Sequence, residues 1–286
     1  MKQGKTGILL VLAAAMLWGT TGTSQALAPS DASPMAIGAL RLLVGGLAMV
    51  ILALAGGGLR RGEWQWKTTF LAAFFVAAYQ VTFFAAVKLT GVAVGTMVGI
   101  GSSPVIAGVL GLVFRGDRPG GRWVAATVLA VAGCSLLSAG GDVSANPLGV
   151  LLALGAGLSY ASYTLAIKIL LEKGEPDRVM AGVFCCGALL LSPLLFTANL
   201  GWLFTTRGII VVLHLGVIAT TLSYWLFTRG LRQVPVATAV TLSLAEPLTA
   251  TLLGTLLLGE RLTALASCGV LLLFGGLAVL ASGKRE

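Results

Sequence analysis

Apolar segments of about 20 residues, each long enough to cross a hydrocarbon layer as a helix, follow one another along almost the whole chain. Of the 286 residues, 57% are hydrophobic and only 10% are charged, whereas soluble domains carry roughly 25% charged residues. The alternation with a period of two that a membrane β-barrel requires is absent from these segments. The sequence therefore predicts an all-α polytopic protein that is embedded in the lipid bilayer.

Prolines, glycines and short charged stretches divide the chain into ten predicted spans. These spans are 7–27, 34–56, 67–89, 91–114, 122–140, 146–171, 178–199, 208–232, 234–257 and 262–281. The first could instead be a secretory signal, because Lys2 and Lys5 precede it and Ala26-Leu27-Ala28 resembles a cleavage site. The length of this apolar run, and a second copy of it in the middle of the chain, favour a retained span.

The basic residues are distributed unevenly between the predicted loops. With the amino terminus inside, fifteen fall on the cytoplasmic side: Lys2, Lys5, Arg60, Arg61, Lys67, Arg115, Arg118, Arg122, Lys168, Lys173, Arg178, Arg229, Arg232, Lys284 and Arg285. Three fall outside, namely Lys88, Arg207 and Arg261, while Arg41 lies within a span. This bias predicts that both termini are cytoplasmic in a bacterial-type inner membrane. It also explains the net charge of +9 as an orientation signal, so we expect no nucleic-acid partner.

The two halves of the chain resemble each other. At a shift of 142 residues, GILLVLAAAMLW (7–18) aligns with GVLLALGAGLSY (149–160), and at a shift of 143 Pro104 aligns with Pro247. We therefore divide the chain into five-span units at 1–143 and 144–286. Because five is odd, the second unit enters the membrane from the opposite side. Inverted repeats are typical of secondary transporters, whose substrate site lies near the midplane between the units.

Pro104 and Pro247 are counterparts that lie deep within their spans. Proline removes an intrahelical hydrogen bond and kinks or opens the helix. Opened backbone at membrane depth is tolerated only where it is buried in protein or lines a watery cavity. The two prolines are therefore predicted hinges beside the substrate site.

Three segments carry a resemblance to a known family: Leu17-Trp18-Gly19, AIGALRLLVGG (36–46) and AEPLTATLLGTLLLGERLTALASCGVLLLFGG (245–276). They resemble the EamA domain of the drug/metabolite transporter superfamily. The resemblance implies two EamA repeats in ten spans and export of small metabolites by alternating access. The chain looks most like the bacterial exporters of aromatic amino acids. It departs from the pattern at Ser103, which stands where the second repeat has Glu246, so a mechanism that needs a symmetric pair of carboxylates is in doubt.

Glu246 is the sharpest candidate for a functional residue, because a charge near the bilayer centre costs about 2.5–3.5 kcal/mol on insertion scales. It could bind a proton or a substrate amine, or it could be a structural carboxyl that bonds to backbone opened by Pro247. Arg41 could bind a substrate carboxylate or extend toward the outer interface. His214, the single histidine, could be a gate or carboxylate contact, or could couple transport to protons.

A set of mostly aromatic residues could wall a central cavity for apolar side chains, with ordinary core packing as the alternative. The predicted lining consists of Trp18, Tyr79, Gln80, Phe83, Ser103, Tyr160, Tyr163, Trp225 and Glu246.

Motifs for catalysis, ATP binding or metal binding are absent from the sequence, and Cys134, Cys185, Cys186 and Cys268 are interpreted as packing residues. We therefore expect no enzyme activity, no cofactor and no metal.

The predicted function is export of amino acids, including aromatic and other apolar ones. The alternative is proton-coupled efflux of cationic or apolar drugs; a lipid-modifying enzyme would need a nucleophile or paired acids, which we do not find. The GxxxG spacing of Gly91, Gly95 and Gly99 leaves the oligomeric state open.

Overall fold

The computed structural model describes residues 2–57, 64–138, 146–257 and 263–282, and the regular secondary structure in these ranges is helical. The elements are α1 (Lys2–Ala26), α2 (Pro34–Ala55), α3 (Trp66–Arg115), α4 (Gly121–Ser138), α5 (Pro147–Leu170), α6 (Pro176–Leu191), α7 (Pro193–Phe196), a 3₁₀ turn (Gly201–Phe204), α8 (Thr206–Leu213), a π-helix (His214–Leu222), α9 (Ser223–Leu231), α10 (Val236–Leu242), α11 (Ala245–Leu257) and α12 (Ala264–Ala281). The prediction of an all-α membrane protein is confirmed.

Within the described ranges, eight helical segments are long and apolar enough to cross a membrane. They are Lys5–Ala26, Pro34–Ala55, Trp66–Gly91, Val94–Arg115, Pro147–Leu170, Thr206–Leu231, Val236–Leu257 and Ala264–Ala281. The remaining two predicted spans, 122–140 and 178–199, fall on α4 and on α6 with α7. α6 has only 16 residues and ends at Leu191, two residues before Pro193. Ser192 keeps helical dihedral angles, but Pro193 has no N–H to continue the intrahelical hydrogen bonds, which explains why span 178–199 is interrupted there.

The third and fourth predicted spans meet inside α3, at Gly91. The backbone of this glycine has φ 81° and ψ 163°, and it is the point in α3 where the helical dihedral angles are lost. Glycine adopts positive φ without the steric cost that a side chain would add. The predicted boundary between 67–89 and 91–114 is therefore correct, although the connection is a single residue rather than a loop.

The first helix of each half packs among the third and fourth helices of the other half. α5 lies along α3, while α1 lies against α9, the π-helix and α11. Glycines permit the close approach: a Cβ atom at Gly157 would be 2.4 Å from the Ser102 Oγ atom, and one at Gly7 would be 2.7 Å from the Gln233 Cβ atom. α4 and α12 pack together in the same manner through Gly133, Gly269 and Gly276. The two halves are thus interleaved rather than placed side by side.

α1 is a core helix of this bundle. The side chains of Val11, Ala14 and Ala15 are fully buried, and Trp18 is 5% exposed. A helix with this degree of burial contributes to the folded bundle, which agrees with a retained first span.

The two predicted hinge prolines differ in the structure. At Pro104 the helix continues with helical dihedral angles, and the Ser103 hydroxyl donates a hydrogen bond of 2.5 Å to the Ile100 carbonyl, which lacks its usual partner because proline has no N–H. At Pro247 the backbone is interrupted, since α10 ends at Leu242 and α11 begins at Ala245. The expected opening is therefore seen before Pro247 and is absent at Pro104, where the Ser103 side chain replaces the lost bond.

Several sequence predictions lie outside the described residues. They are the basic residues Arg60, Arg61, Arg261, Lys284 and Arg285, the repeat phrase 258–261, the repeat glycines Gly140 and Gly283, and the unit boundary at 143/144.

Candidate substrate site

All four tyrosines of the chain converge in the middle of the bundle. The ring centroid of Tyr79, on α3, is 6.0 Å from that of Tyr160 and 6.2 Å from that of Tyr163, both on α5. The Tyr163 hydroxyl is 3.0 Å from the hydroxyl of Tyr224 on α9. Helices from both halves therefore contribute rings to one cluster.

Trp18 on α1 completes this group, which we call the tyrosine cluster and define as Trp18, Tyr79, Tyr160, Tyr163 and Tyr224. The Trp18 ring is 4.9 Å from the ring of Tyr224. Four of the five side chains are 3 to 7% exposed, and Tyr79 is partly buried. The Trp18 Nε1 donor is buried without a hydrogen-bond acceptor. The cluster thus combines a large aromatic surface with a free polar atom.

Two opposite charges lie beside the tyrosine cluster. Arg41 on α2 and Glu246 on α11 are both partly buried, and they are close enough for the charge of Arg41 to act on Glu246, Tyr79 and Tyr224. In the described part of the chain, no ion pair within 4.0 Å joins them, and the Arg41 Nε atom is buried without a hydrogen-bond partner. The buried Nε donor of Arg41 is therefore unused within the described part of the chain.

The other predicted lining residues differ in position. Phe83 stacks on Tyr79 with ring centroids 5.6 Å apart, and Gln80, which is 7% exposed, faces α2 at Gly38. Ser103 is fully buried, and its hydroxyl is used by the Ile100 carbonyl.

Trp225, the residue after Tyr224, packs on an arginine. Its ring is 3.9 Å from the guanidinium carbon of Arg229. Arg229 in turn donates two hydrogen bonds, of 2.9 and 3.1 Å, to the carboxylate of Asp177. Trp225 therefore packs on an ion pair between α9 and α6.

Three aromatic residues at the site were missed by the sequence prediction: Tyr224, Phe184 and Phe227. Phe184 is 4.7 Å from Tyr224, and Phe227 is 5.0 Å from Trp18. Tyr224 could have been found, because it is one of only four tyrosines and directly precedes Trp225. The two phenylalanines carry no comparable signal in a chain with eleven.

A cavity of about 460 Å³ lies between α1, α8 and α11, at the end of the bundle where α1 and α11 end and α8 begins. We call this the Arg207 end. His214 lines the cavity, and its Nε2 atom is 2.9 Å from the hydroxyl of Thr20. A Cβ atom at Gly19 would be 2.6 Å from the Thr249 Cβ atom and 2.8 Å from the Glu246 carbonyl oxygen. This tight contact between α1 and α11 separates the cavity, with His214, from the tyrosine cluster.

The opposite end of the bundle, where α5 and α9 end, is closed by polar contacts. We call it the Lys168 end, because the Lys168 ammonium donates to the carbonyls of Leu231, Val234 and Arg232, at 2.5, 3.0 and 3.2 Å. The Arg232 guanidinium donates back to the carbonyls of Leu171 and Gly174. An ion pair of 2.5 Å between Arg115 and Glu172 joins the two halves at the same end. Polar contacts thus close the Lys168 end of the bundle, and a cavity lies at the Arg207 end.

The model of the EamA-like transporter family matches the chain twice, over residues 5–139 and 147–282. This chain belongs to the EamA-like transporter family. It therefore contains two EamA domains and is a multi-pass membrane transporter of the drug/metabolite transporter superfamily, with a small molecule as its substrate.

Relatives of this EamA protein cover nearly its full length. It is 48% identical to the uncharacterized transporter YwfM of Bacillus subtilis, over 99% of this chain and 96% of YwfM. It is 28% identical to the protein PecM of Dickeya dadantii, over 92% of this chain and 88% of PecM. A solved crystal structure superimposes with a TM-score of 0.82 over 96% of this chain and 95% of the other, at 22% identity, which shows the fold alone.

Proposed function

We propose that this transporter exports amino acids, including aromatic and other apolar ones, by alternating access. The observation that carries the proposal is the position of two opposite charges beside the tyrosine cluster: Arg41 and Glu246 interact, but in the described part of the chain no ion pair within 4.0 Å joins them. An amino acid carries one carboxylate and one ammonium group. Arginine binds carboxylates through two parallel hydrogen bonds, a carboxylate accepts from ammonium, and aromatic rings accommodate apolar side chains.

We assign roles to the candidate residues on this basis. Arg41 binds the substrate carboxylate and Glu246 binds the ammonium group. Trp18, Tyr79, Tyr160, Tyr163 and Tyr224 contact the side chain, with Phe83 and Gln80 behind Tyr79. Ser103 and Trp225 receive structural roles, because the former bonds to Ile100 and the latter lies under Arg229.

The proposed topology is ten spans in two inverted five-helix units, 1–143 and 144–286, with both termini cytoplasmic in a bacterial inner membrane. Eight long apolar helices in the described ranges support it. So does the reciprocal packing in which α1 meets the third and fourth helices of the second unit and α5 meets those of the first. The excess of basic residues on one side supports the orientation.

In that orientation the Lys168 end faces the cytoplasm and the Arg207 end faces outward. The polar contacts at the Lys168 end are the feature expected of a state that is closed to the cytoplasm, and the contact of Gly19 with α11 separates the tyrosine cluster from the cavity at the Arg207 end. The interruption before Pro247 lies next to Glu246, so we propose it as the hinge that couples substrate binding to the movement of α11.

The second candidate function is proton-coupled efflux of cationic or apolar drugs. The observation in its favour is Glu246, a carboxylate whose charge acts on Tyr79, Tyr160 and Tyr224 and which has no matching acid at Ser103. Arg41 argues against this function, because its positive charge near the site repels a cationic drug.

Flux measurements in proteoliposomes separate the two functions. We expect labelled phenylalanine to exchange across the membrane without a pH gradient, and tetraphenylphosphonium, a lipophilic cation, to remain untransported. Transport of the lipophilic cation only when a pH gradient is present, with no flux of phenylalanine, would replace the first function by the second.

A further inference from the structure

The cavity at the Arg207 end is a groove that faces the lipid. α11 and the π-helix that follows α8 pack on α1, and residues of α1, α8 and α11 line the groove. The edges of the groove carry Ile210 and Leu257, which are 61% and 67% exposed. In a membrane-spanning bundle, apolar side chains with this exposure face acyl chains. The groove is therefore open to the bilayer along its side.

Polar residues lie toward the mouth and at the inner end of the groove, and apolar residues lie between them. Arg207, Thr23 and Ser24 lie toward its mouth, whereas Val211 and Leu253 lie deeper. The polar residues at the inner end, Thr20 and His214, bond to each other. A ligand that fits this pattern has a polar head at the membrane surface and an apolar body that extends toward the bilayer centre.

Arg207 is held in place at the mouth. Its Nε atom donates to the Leu27 carbonyl at the end of α1. The side chain is exposed, and within the described ranges no acidic residue forms an ion pair with it. Its two terminal nitrogens therefore remain for an anion, and a guanidinium binds phosphate through paired, charge-assisted hydrogen bonds.

We propose that this groove is a binding site for an anionic phospholipid. The phosphate binds Arg207, the hydroxyls of Thr23 and Ser24 donate to the head group, and one acyl chain lies against Ile210, Val211 and Leu253. The contact of Gly19 with Thr249 and Glu246 closes the groove from the tyrosine cluster, so the lipid site is distinct from the substrate site. The lipid wedges between α8 and α11, and it favours the state in which these helices are apart.

Binding of phosphatidylglycerol to the purified full-length protein in detergent tests the charge contact. Native mass spectrometry would measure its affinity for wild type, Arg207→Gln and the matched control Lys88→Gln, which removes an exposed cation near the same end but outside the groove. We expect Arg207→Gln to weaken binding about tenfold, the loss of one charge-assisted contact, and Lys88→Gln to leave it unchanged. An equal loss in both variants, or in neither, would overturn the proposal.

Cross-linking of the wild-type protein locates the lipid without any substitution. Phosphatidylglycerol with a photoreactive acyl chain should label Ile210, Val211 and Leu253 in preference to other lipid-facing residues, and excess unlabelled lipid should suppress the labelling. Uniform labelling around the bundle would contradict a site. If glycerol 3-phosphate suppresses the labelling at the concentration at which unlabelled lipid does, the groove is a pocket for a water-soluble anion instead. If phenylalanine suppresses it at that concentration, the groove is a pocket for the substrate instead.

Discussion

Arg41 and Glu246 lie in a low-dielectric interior, where a lone charge is costly. They are close enough to interact but are not joined by an ion pair within 4.0 Å in the described part of the chain. Direct pairing would neutralise them and fill the space between them. A zwitterion, which has both an anionic and a cationic group, matches two opposite charges held apart beside aromatic rings better than a ligand with a single charge does.

Neutralising either charge should therefore impair transport. We expect Glu246→Gln and Arg41→Gln each to lower kcat/KM for phenylalanine by about 10- to 100-fold, the loss of one hydrogen bond between charged groups. Initial rates in proteoliposomes measure this, with Asp31→Asn, at an exposed turn, as the matched control. Wild-type rates in Glu246→Gln would make this residue a structural carboxyl.

Ser103 and Pro104 should be coupled energetically. Ser103→Ala leaves the Ile100 carbonyl without a partner and should destabilise the fold by about 1 kcal/mol. In the Pro104→Ala background the restored backbone N–H can bond to Ile100, so the same change should cost much less. Thermal unfolding of the two single variants and the double variant in detergent gives the coupling. Additive losses would mean that the serine does not replace the missing bond.

The individual candidate residues could be found from the sequence, but not their arrangement. Glu246, Arg41 and the tyrosines on α3 and α5 stand out because polar groups are rare in apolar spans. That Arg41 approaches Glu246 across 205 positions of chain depends on packing that a single sequence does not encode in any local pattern. The same limit applies to Tyr224, which meets Tyr163 only because α9 lies beside α5.

Adjacent glycines of α12 offer a test of helix packing. A Cβ atom at Gly276 would be 2.7 Å from the Ala126 carbonyl oxygen of α4, whereas one at Gly275 would meet nothing within 4 Å. We expect Gly276→Ala to destabilise the protein by about 1–3 kcal/mol through overpacking. Gly275→Ala should be neutral or stabilising by up to about 1 kcal/mol, because alanine favours helix. Equal melting temperatures for the two variants would contradict the close contact of α4 with α12.

Helix positions were predictable because turn residues mark the ends of apolar segments, but departures from regular geometry were not. The nine-residue π-helix His214–Leu222 lies in the middle of an apolar run. Its Thr221 hydroxyl bonds to the Gly216 carbonyl, and Gly45 of α2 packs against Thr220. Such a bulge reflects contacts with α2 rather than local propensity. The early end of α6 did have a local signal in Pro193, which the prediction of span 178–199 did not use.

In the molecule as a whole, polar contacts close the Lys168 end, a cavity lies at the Arg207 end, and the two halves are interleaved. The repeat could be read from the sequence, because shifts of 142 and 143 residues align apolar segments and prolines. The interleaving could not, because it depends on which faces of the helices meet across the two halves.

Removing hydrogen bonds at the Lys168 end should change the conformation of the bundle at both ends. Lys168→Met keeps the side-chain length but removes three hydrogen bonds to the end of α9 and the turn after it. We expect faster amide hydrogen exchange in residues 171–175 and 231–235, together with slower exchange at the start of α8 as the Arg207 end closes. Changes confined to the neighbourhood of residue 168 would mean that the two ends are not coupled.

The proposal that Arg41 and Glu246 hold the two charges of an amino acid is tested most directly by inhibition of phenylalanine counterflow in proteoliposomes. The inhibitors are unlabelled phenylalanine, phenethylamine, which lacks the carboxylate, and 3-phenylpropanoate, which lacks the ammonium group. We predict strong inhibition by phenylalanine and at least about tenfold weaker inhibition by each analogue, since each loses one charged contact. Inhibition by phenethylamine as strong as that by phenylalanine would contradict the account and favour a transporter of cationic drugs.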